Sequence, residues 1–276
     1  MQDRRVGLQP PRDDTYVYEI RSIKSEFIMP LATAHALFQT LIDLIYPPVC
    51  AGCGGEVAGT GPPVCEACLL SAPRIEKPLC QTCGAPGENP HAKHCPECPE
   101  KAHYHRARAV LDYQDKTVKK LIQGLKFHYQ TGLAVPLGDL MLEGFNQYFK
   151  DEQYDAIVPV PLHRKRKRQR EFNQATLLAQ AIQREHNLPM IENAVMRIRH
   201  TKPQTSMTPL KRKTNVLGAF AVKDASVIQG AQLLLVDDIY TTGSTTNEIA
   251  RVLIEAGAKH VDVLTLSRSL MNLYRK

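Results

Sequence analysis

Eight cysteines supply the first chemistry. Cys50-x-x-Cys53 and Cys65-x-x-Cys68 are followed by Cys80-x-x-Cys83 and Cys95-x-x-Cys98, and each cysteine of the first two pairs recurs 30 residues later. Two thiolates three positions apart occupy one side of a tetrahedron, and a second pair closes it around zinc with Zn–S bonds of ~2.3 Å. Two structural Zn²⁺ ions are therefore expected, with no open coordination position for catalysis. The repeat favours sequential pairing, first pair with second and third with fourth, and leaves an interleaved pairing open. Gly54 and Gly84 close the two knuckles, where a tight turn aims backbone N–H groups at sulfur. His91, His94, His103 and His105 read as loop histidines rather than substitute ligands.

The second group is the run Leu233-Leu-Leu-Val-Asp237-Asp238-Ile-Tyr-Thr241-Thr242-Gly243-Ser244-Thr245-Thr246. An apolar strand leads into adjacent carboxylates, then a hydroxyl-rich bend, then a helix. Unsatisfied N–H groups at the helix start and the hydroxyls of Thr241, Thr242, Ser244 and Thr245 form an anion cradle, and Gly243 lets a phosphate approach the backbone. Asp237 and Asp238 would accept hydrogen bonds from ribose hydroxyls or hold Mg²⁺ through them. An ordinary N-cap needs one hydroxyl, not five behind two carboxylates. No Gly-Lys-Ser/Thr follows, which excludes a Walker loop.

Arg164 to Arg170 holds six cations in seven positions. Phosphate neutralisation and single-stranded nucleic-acid contact suit it equally, with a merely solvated run third. Arg197 to Phe220 is polar and broken by Pro203 and Pro209, and reads as a long functional loop. Its Arg199, Lys202 and Gln204 could supply charge over a bound anion. No residue presents itself as a catalytic base.

The elements that must position these groups fall into three zones. Residues 1–30 read as a flexible tail, which would be incidental if Met29 is the natural start. Residues 31–103 read as an amphipathic helix, Leu31 to Tyr46, followed by the cysteine module, and residues 104–276 as an α/β domain. Within the last zone Ala107–Tyr113, Ala156–Val160, Leu233–Val236 and Val261–Leu266 read as strands. Thr117–Phe127, Val135–Phe149, Phe172–His186 and Ser244–Ala256 read as helices. That alternation predicts a parallel sheet covered on both faces.

Composition sets the outer limits. Of 276 residues, 43% are hydrophobic and 23% charged, so disorder cannot dominate. No apolar run reaches the ~20 residues of a membrane span, and the N-terminus lacks a signal-peptide core; a cytoplasmic protein is expected. Net charge is +7, which favours anionic partners. Trp is absent and aromatics are 6%, so base-stacking platforms are scarce.

With these residues in view, VDDIYTTGST resembles the phosphoribosyl-pyrophosphate (PRPP) loop of type I phosphoribosyltransferases. The span 42–268 resembles the ComF family of competence-associated proteins, through LIDLIYPPVCAGCG, VPVPLHRKRKRQREFNQATLLA and RHTKPQTSMTPLKRKTNVLGAF. The resemblance implies a type I phosphoribosyltransferase-like sheet flanked by helices, preceded by a double zinc ribbon. It implies PRPP bound with Mg²⁺, Asp237 and Asp238 on the ribose hydroxyls, and Thr241, Thr242, Gly243, Ser244 and Thr245 around the 5′-phosphate. Val160, Pro161, Leu162, His163 and Arg164 would form the pyrophosphate loop, and Arg197 to Phe220 a hood that closes over it. It further implies a role in DNA uptake, with other DNA-uptake proteins as partners, and pentosyl transfer to an acceptor the residues do not identify. The alternative is a zinc-ribbon adaptor for single-stranded nucleic acid whose PRPP site is vestigial or regulatory. Two departures stand out. Glu171 stands where the family usually has a glycine before Phe172-Asn173-Gln174, which speaks against a tight turn or a close anion approach there. Thr241 stands where purine-salvage relatives carry an Asp, and a neutral hydroxyl is no proton acceptor at neutral pH.

Overall fold

The structure, a computed structural model, describes residues 48–57, 61–89, 92–127, 130–199 and 215–270. These belong to one compact unit, Tyr46–Lys276. The tail, the helix read at Leu31–Tyr46, His91, Lys202 and Gln204 lie outside the described residues.

In chain order the elements are α1 (Glu66–Leu70), β1 (Ala107–Asp112), α2 (Lys116–Phe127), α3 (Ala134–Tyr148), β2 (Ala156–Pro159), α4 (Arg164–Arg170), α5 (Gln174–His186), β3 (Val195–Arg197), β4 (Phe220–Val222), β5 (Gln232–Tyr240), α6 (Ser244–Glu255) and β6 (His260–Arg268). The four longer strands form a parallel sheet in the order β1-β6-β5-β2. An inner parallel strand is buried on both faces, so it reads as unbroken apolar sequence rather than alternation. Leu233 to Val236 of β5 meets that demand with four side chains at 0% exposure.

Two separate cores follow, one on each face. The even positions of β5, Leu234 and Val236, pack with Leu121, Leu125, Leu137, Met141 and Leu178 of α2, α3 and α5. The odd positions, Leu233 and Leu235, pack with Ile249 and Leu253 of α6 and with Val195 and Phe220. Close approach of α3 is set by small residues: a Cβ on Gly144 would run into Val110 of β1.

The cysteine module divides between the faces. Cys50, Val64, Cys68 and Ala72 join the first core, and Cys80, Cys83, Ala85 and Tyr104 join the second. The chain crosses over the free edge of β1, where Ile75 N–H donates to Val110 O at 2.8 Å and Ala107 N–H donates to Thr82 O at 2.7 Å. At the start of β6, buried Asp262 accepts from Tyr154 Oη at 2.6 Å and from Arg106 N–H at 3.1 Å. His260 Nε2 lies 3.1 Å from that carboxylate and His105 Nδ1 3.4 Å away, which pins the loop leaving the module to β6.

Three differences from the sequence reading have clear causes. The strand read as ending at Val236 runs on through both aspartates to Tyr240, because β6 pairs along it, Asp237 with Thr265 and Ile239 with Ser267. Arg197 and Phe220 are not loop residues but a β-pair, Arg197 opposite Phe220, in a two-stranded antiparallel sheet. Glu171 does not prevent a tight turn: it adopts φ 64°, a left-handed conformation that costs a non-glycine residue on the order of 1 kcal/mol. Its N–H caps α4 by donating to Lys167 O at 2.8 Å.

Candidate functional site

Two cysteine clusters join the sheet's two cores, one on each face. Cys50, Cys53, Cys65 and Cys68 converge in one place, Cys80, Cys83, Cys95 and Cys98 in another; the pairing is sequential. The 30-residue repeat persists in the backbone. Gly54 N–H donates to Cys50 O and Gly84 N–H to Cys80 O, at 2.8 and 3.0 Å, with φ of 80° and 70° at the two glycines. Sulfur–sulfur separations are 3.9 Å for Cys53–Cys65, 3.6 Å for Cys80–Cys98 and 3.4 Å for Cys83–Cys95. A tetrahedron with ~2.3 Å bonds has edges of about 3.8 Å, so the sulfurs fit zinc.

Electrostatics agree with the spacing. Burial raises the Cys50 thiol, but bonds from the backbone of Cys53, Cys65 and Gly52 outweigh it and bring it to about 6. Cys68 is pushed up to about 12, by burial first and then by its sulfur neighbours. Four crowded thiols cannot all ionise without a cation among them, and a dication supplies it.

The second site is a cleft of about 590 Å³ at the carboxyl end of the sheet. Strand alternation places the two aspartates on opposite faces, and the cleft wraps over the sheet end to collect both. Asp238 meets α2, where Lys126 Nζ donates to its Oδ1 at 2.8 Å. Asp237, half-buried, sits toward Arg197, and its carboxyl is pushed up to about 7, by burial first and then by the Asp238 charge. Lys126, Arg166, Arg170 and Arg197 line the cleft with the two carboxylates, leaving it an excess of positive charge suited to phosphates. Burial first, and Arg166 second, lowers the Arg197 guanidinium to about 10. Arg197 lies 5.2 Å from the Phe220 ring centroid, and Arg170 lies 4.7 Å from that of Phe127.

The bend behind the aspartates is held from within. Gly243 adopts φ 68°, and a Cβ there would collide with the Tyr240 ring. Thr242 and Ser244 hydroxyls bond to each other at 2.7 Å, and Thr246 Oγ1 donates to Gly243 O at 3.1 Å. Thr241 and Thr245 face the cleft. Of the segment after β2, Val160, Pro161 and Leu162 line it too. His163 O accepts from Lys167 N–H as the first bond of α4, and Arg164 is exposed. Asn173 ties this wall together, its Nδ2 donating to Val160 O at 3.1 Å while its Oδ1 caps α5. Arg199 donates to Asn215 O and Leu217 O at 3.2 and 2.6 Å, bracing the base of the segment read as a hood. Arg197, read from the sequence as the start of a hood over the site, lines the cleft from β3. Sequence reasoning missed Lys126, which has no local signal because it arrives from α2, remote in the chain.

The family model for a double zinc ribbon domain matches residues 41–99. The chain is 31% identical over 183 residues to competence protein F of Haemophilus influenzae, covering 65% of this chain and 80% of that protein. It is 35% identical over 191 residues to the DNA utilization protein YhgH of Escherichia coli, covering 68% and 82%. To competence protein ComFC of Bacillus subtilis it is 32% identical over 165 residues, covering 59% and 64%. Among solved structures it is similar to a glutamine PRPP amidotransferase from B. subtilis complexed with ADP and GMP, with 20% identity and a TM-score of 0.32. That match covers 47% of this chain, which spans about a quarter (25%) of the amidotransferase. Among the described residues no helix is long and apolar enough to cross a membrane.

Proposed function

Because this chain belongs to the family of competence protein F, ComFC and YhgH, we propose that it binds Mg²⁺-PRPP in the cleft at the end of β5 and serves the handling of DNA taken up by the cell. One observation carries the proposal. Asp237 and Asp238 of β5, Thr241 and Thr245 at the two ends of the bend, and four cations drawn from α2, α4 and β3 converge on a single cleft. The carboxylates accept from the ribose hydroxyls, and the bend and α6 start hold the 5′-phosphate. Arg166, Arg170 and Arg197 offset the pyrophosphate charge. Mg²⁺, arriving with the ligand, would offset more of it. The chemistry this arrangement suits is loss of pyrophosphate from the anomeric carbon, assisted by positioning and charge rather than by a protein base.

Calorimetric titration of the zinc-loaded protein with Mg²⁺-PRPP tests the reading. One binding event per chain is expected; no heat at millimolar ligand rejects it. A pH dependence is expected as well. Ionised Asp237 is the stronger acceptor for a sugar hydroxyl, and with its carboxyl near 7 the ionised fraction falls about tenfold between pH 8 and pH 6. Affinity should fall by up to that factor in the wild type and stay flatter in Asp237→Asn. The sign for the fold is opposite. A raised carboxyl favours the protonated native state, so stability present at acid pH is given up as pH rises from the ordinary aspartate range through 7.

A second reading is favoured by α4, where Arg164, Lys167 and Arg168 are exposed on the helix that sends Arg166 and Arg170 into the cleft. Those outward cations suit a single strand of DNA running past the cleft mouth. Replacing all three by Gln should lower the slope of log affinity for an oligonucleotide against log salt by about 2. An unchanged slope removes the strand from this face.

A further inference from the structure

The last residue of β6, Arg268, is buried to 1% exposure and has no part in the cleft lining. It faces the other way, into the second cysteine cluster. Its Nη1 donates to Cys83 O, and its Nη2 donates to Glu97 Oε2 at 2.8 Å and reaches Cys83 Sγ at 3.5 Å. Its guanidinium carbon lies 4.4 Å from the centroid of the Tyr240 ring. Tyr240 in turn closes β5, bonds Tyr104 Oη at 2.7 Å, and lies directly under Gly243. The bend therefore rests on a ring that rests on a guanidinium that is held by a zinc-ligand residue.

A second tether reaches the same place from behind. Asn247, in the first turn of α6, accepts from His103 N–H at 2.8 Å and donates to Lys101 O at 2.9 Å. Both partners belong to the strand of chain leaving the second cluster. The first cluster is placed differently: Lys120 of α2 donates to Gly52 O at 3.0 Å and Arg74 pairs with Glu143 of α3 at 3.1 Å. Its packing partners belong to the opposite core, away from the bend.

We infer that Arg268 is a positioning residue, coupling occupancy of the second cysteine cluster to the shape of the Thr241–Thr245 bend, so that the anion cradle is assembled only when that cluster holds its metal. This rests on the PRPP reading of the cleft. Any such coupling is reciprocal: if the metal tightens PRPP, PRPP must tighten the metal by the same factor. Selectivity separates this route from simple support of the fold: support of the fold would tighten both metals, whereas the Arg268 route tightens only the second.

The experiment measures zinc release from the holoprotein to a chromogenic chelator, with and without saturating Mg²⁺-PRPP, beside calorimetry of PRPP binding. One zinc of the two should be retained about tenfold more strongly with PRPP present, and the other should be unaffected. Cys53→Ser, which disables the first cluster, should keep the effect, and Cys95→Ser should remove it together with most of the PRPP affinity. Arg268→Lys keeps the charge opposite Glu97 but loses the forked contact to Cys83, and Tyr240→Phe keeps the ring but loses the bond to Tyr104. Both should retain two zinc ions while shrinking the PRPP-dependent retention. PRPP heat in the wild type with equal zinc release in its presence and absence overturns this inference alone. No PRPP heat in the wild type overturns the cleft reading and this inference together.

Discussion

Stripping the protein of zinc is expected to unfold far more than the cysteine module. The second half of that module and the first lie on opposite faces of the sheet, with Cys50 and Cys68 in one core and Cys80 and Cys83 in the other. Losing the metal leaves two clusters of four thiols without the ion that would hold them together. Apparent zinc free energies in such sites run to ~10–16 kcal/mol, comparable with the ~5–15 kcal/mol stability of a whole domain. Even a loss of ~5 kcal/mol lowers Tm by roughly 10–20 °C for a domain of this size. Metal analysis of the native protein should return two zinc ions per chain, and a strong chelator should lower Tm by at least that much. A chelated protein that melts where the native one does would show that packing alone holds the ribbons.

The second large effect is expected at the aspartate pair. A hydrogen bond to a charged group contributes about 1.5–3 kcal/mol, so losing one carboxylate's share should weaken Mg²⁺-PRPP binding by about 10- to 150-fold. Asp238→Asn also leaves Lys126 without its carboxylate partner at 2.8 Å, in a position where side chains of both are less than one-fifth exposed. Its stability should therefore fall, whereas Asp237→Asn relieves the carboxyl that burial and its neighbour disfavour and should hold or raise stability. Both variants should lose binding. Affinity and melting temperature measured on the same samples separate the two effects; unchanged affinity in both variants would remove the aspartates from the site.

Legibility in the sequence tracked how local each signal was. The zinc clusters follow from a 30-residue repeat in ligand spacing, and the β5–bend–α6 unit from an apolar run, a glycine and clustered hydroxyls. Both kinds of signal lie within a few residues of the chemistry. The parallel sheet under helices was legible for the same reason, since buried strands and amphipathic helices each carry their own period. Other features depend on partners the local sequence does not name. β5 extends through two poor strand formers because β6 lies alongside. β3 and β4 are three residues each and exist by pairing with one another. α4 has no apolar period at all, being arginine, lysine and glutamine. Lys126 and Arg268 sit at the ends of elements whose sequences speak only of packing, and only the topology reveals that one faces the cleft and the other the metal cluster.

The central claim is spatial: one phosphorylated sugar lies between Asp237, Asp238 and the Thr241–Thr245 bend. A crystal of the zinc-loaded protein soaked with Mg²⁺-PRPP tests it directly. Density is expected with the ribose hydroxyls against the two carboxylates, the 5′-phosphate at the start of α6 and the pyrophosphate toward Arg166 and Arg197. Density for the ligand elsewhere, or a cleft that stays empty while calorimetry reports binding, would contradict it.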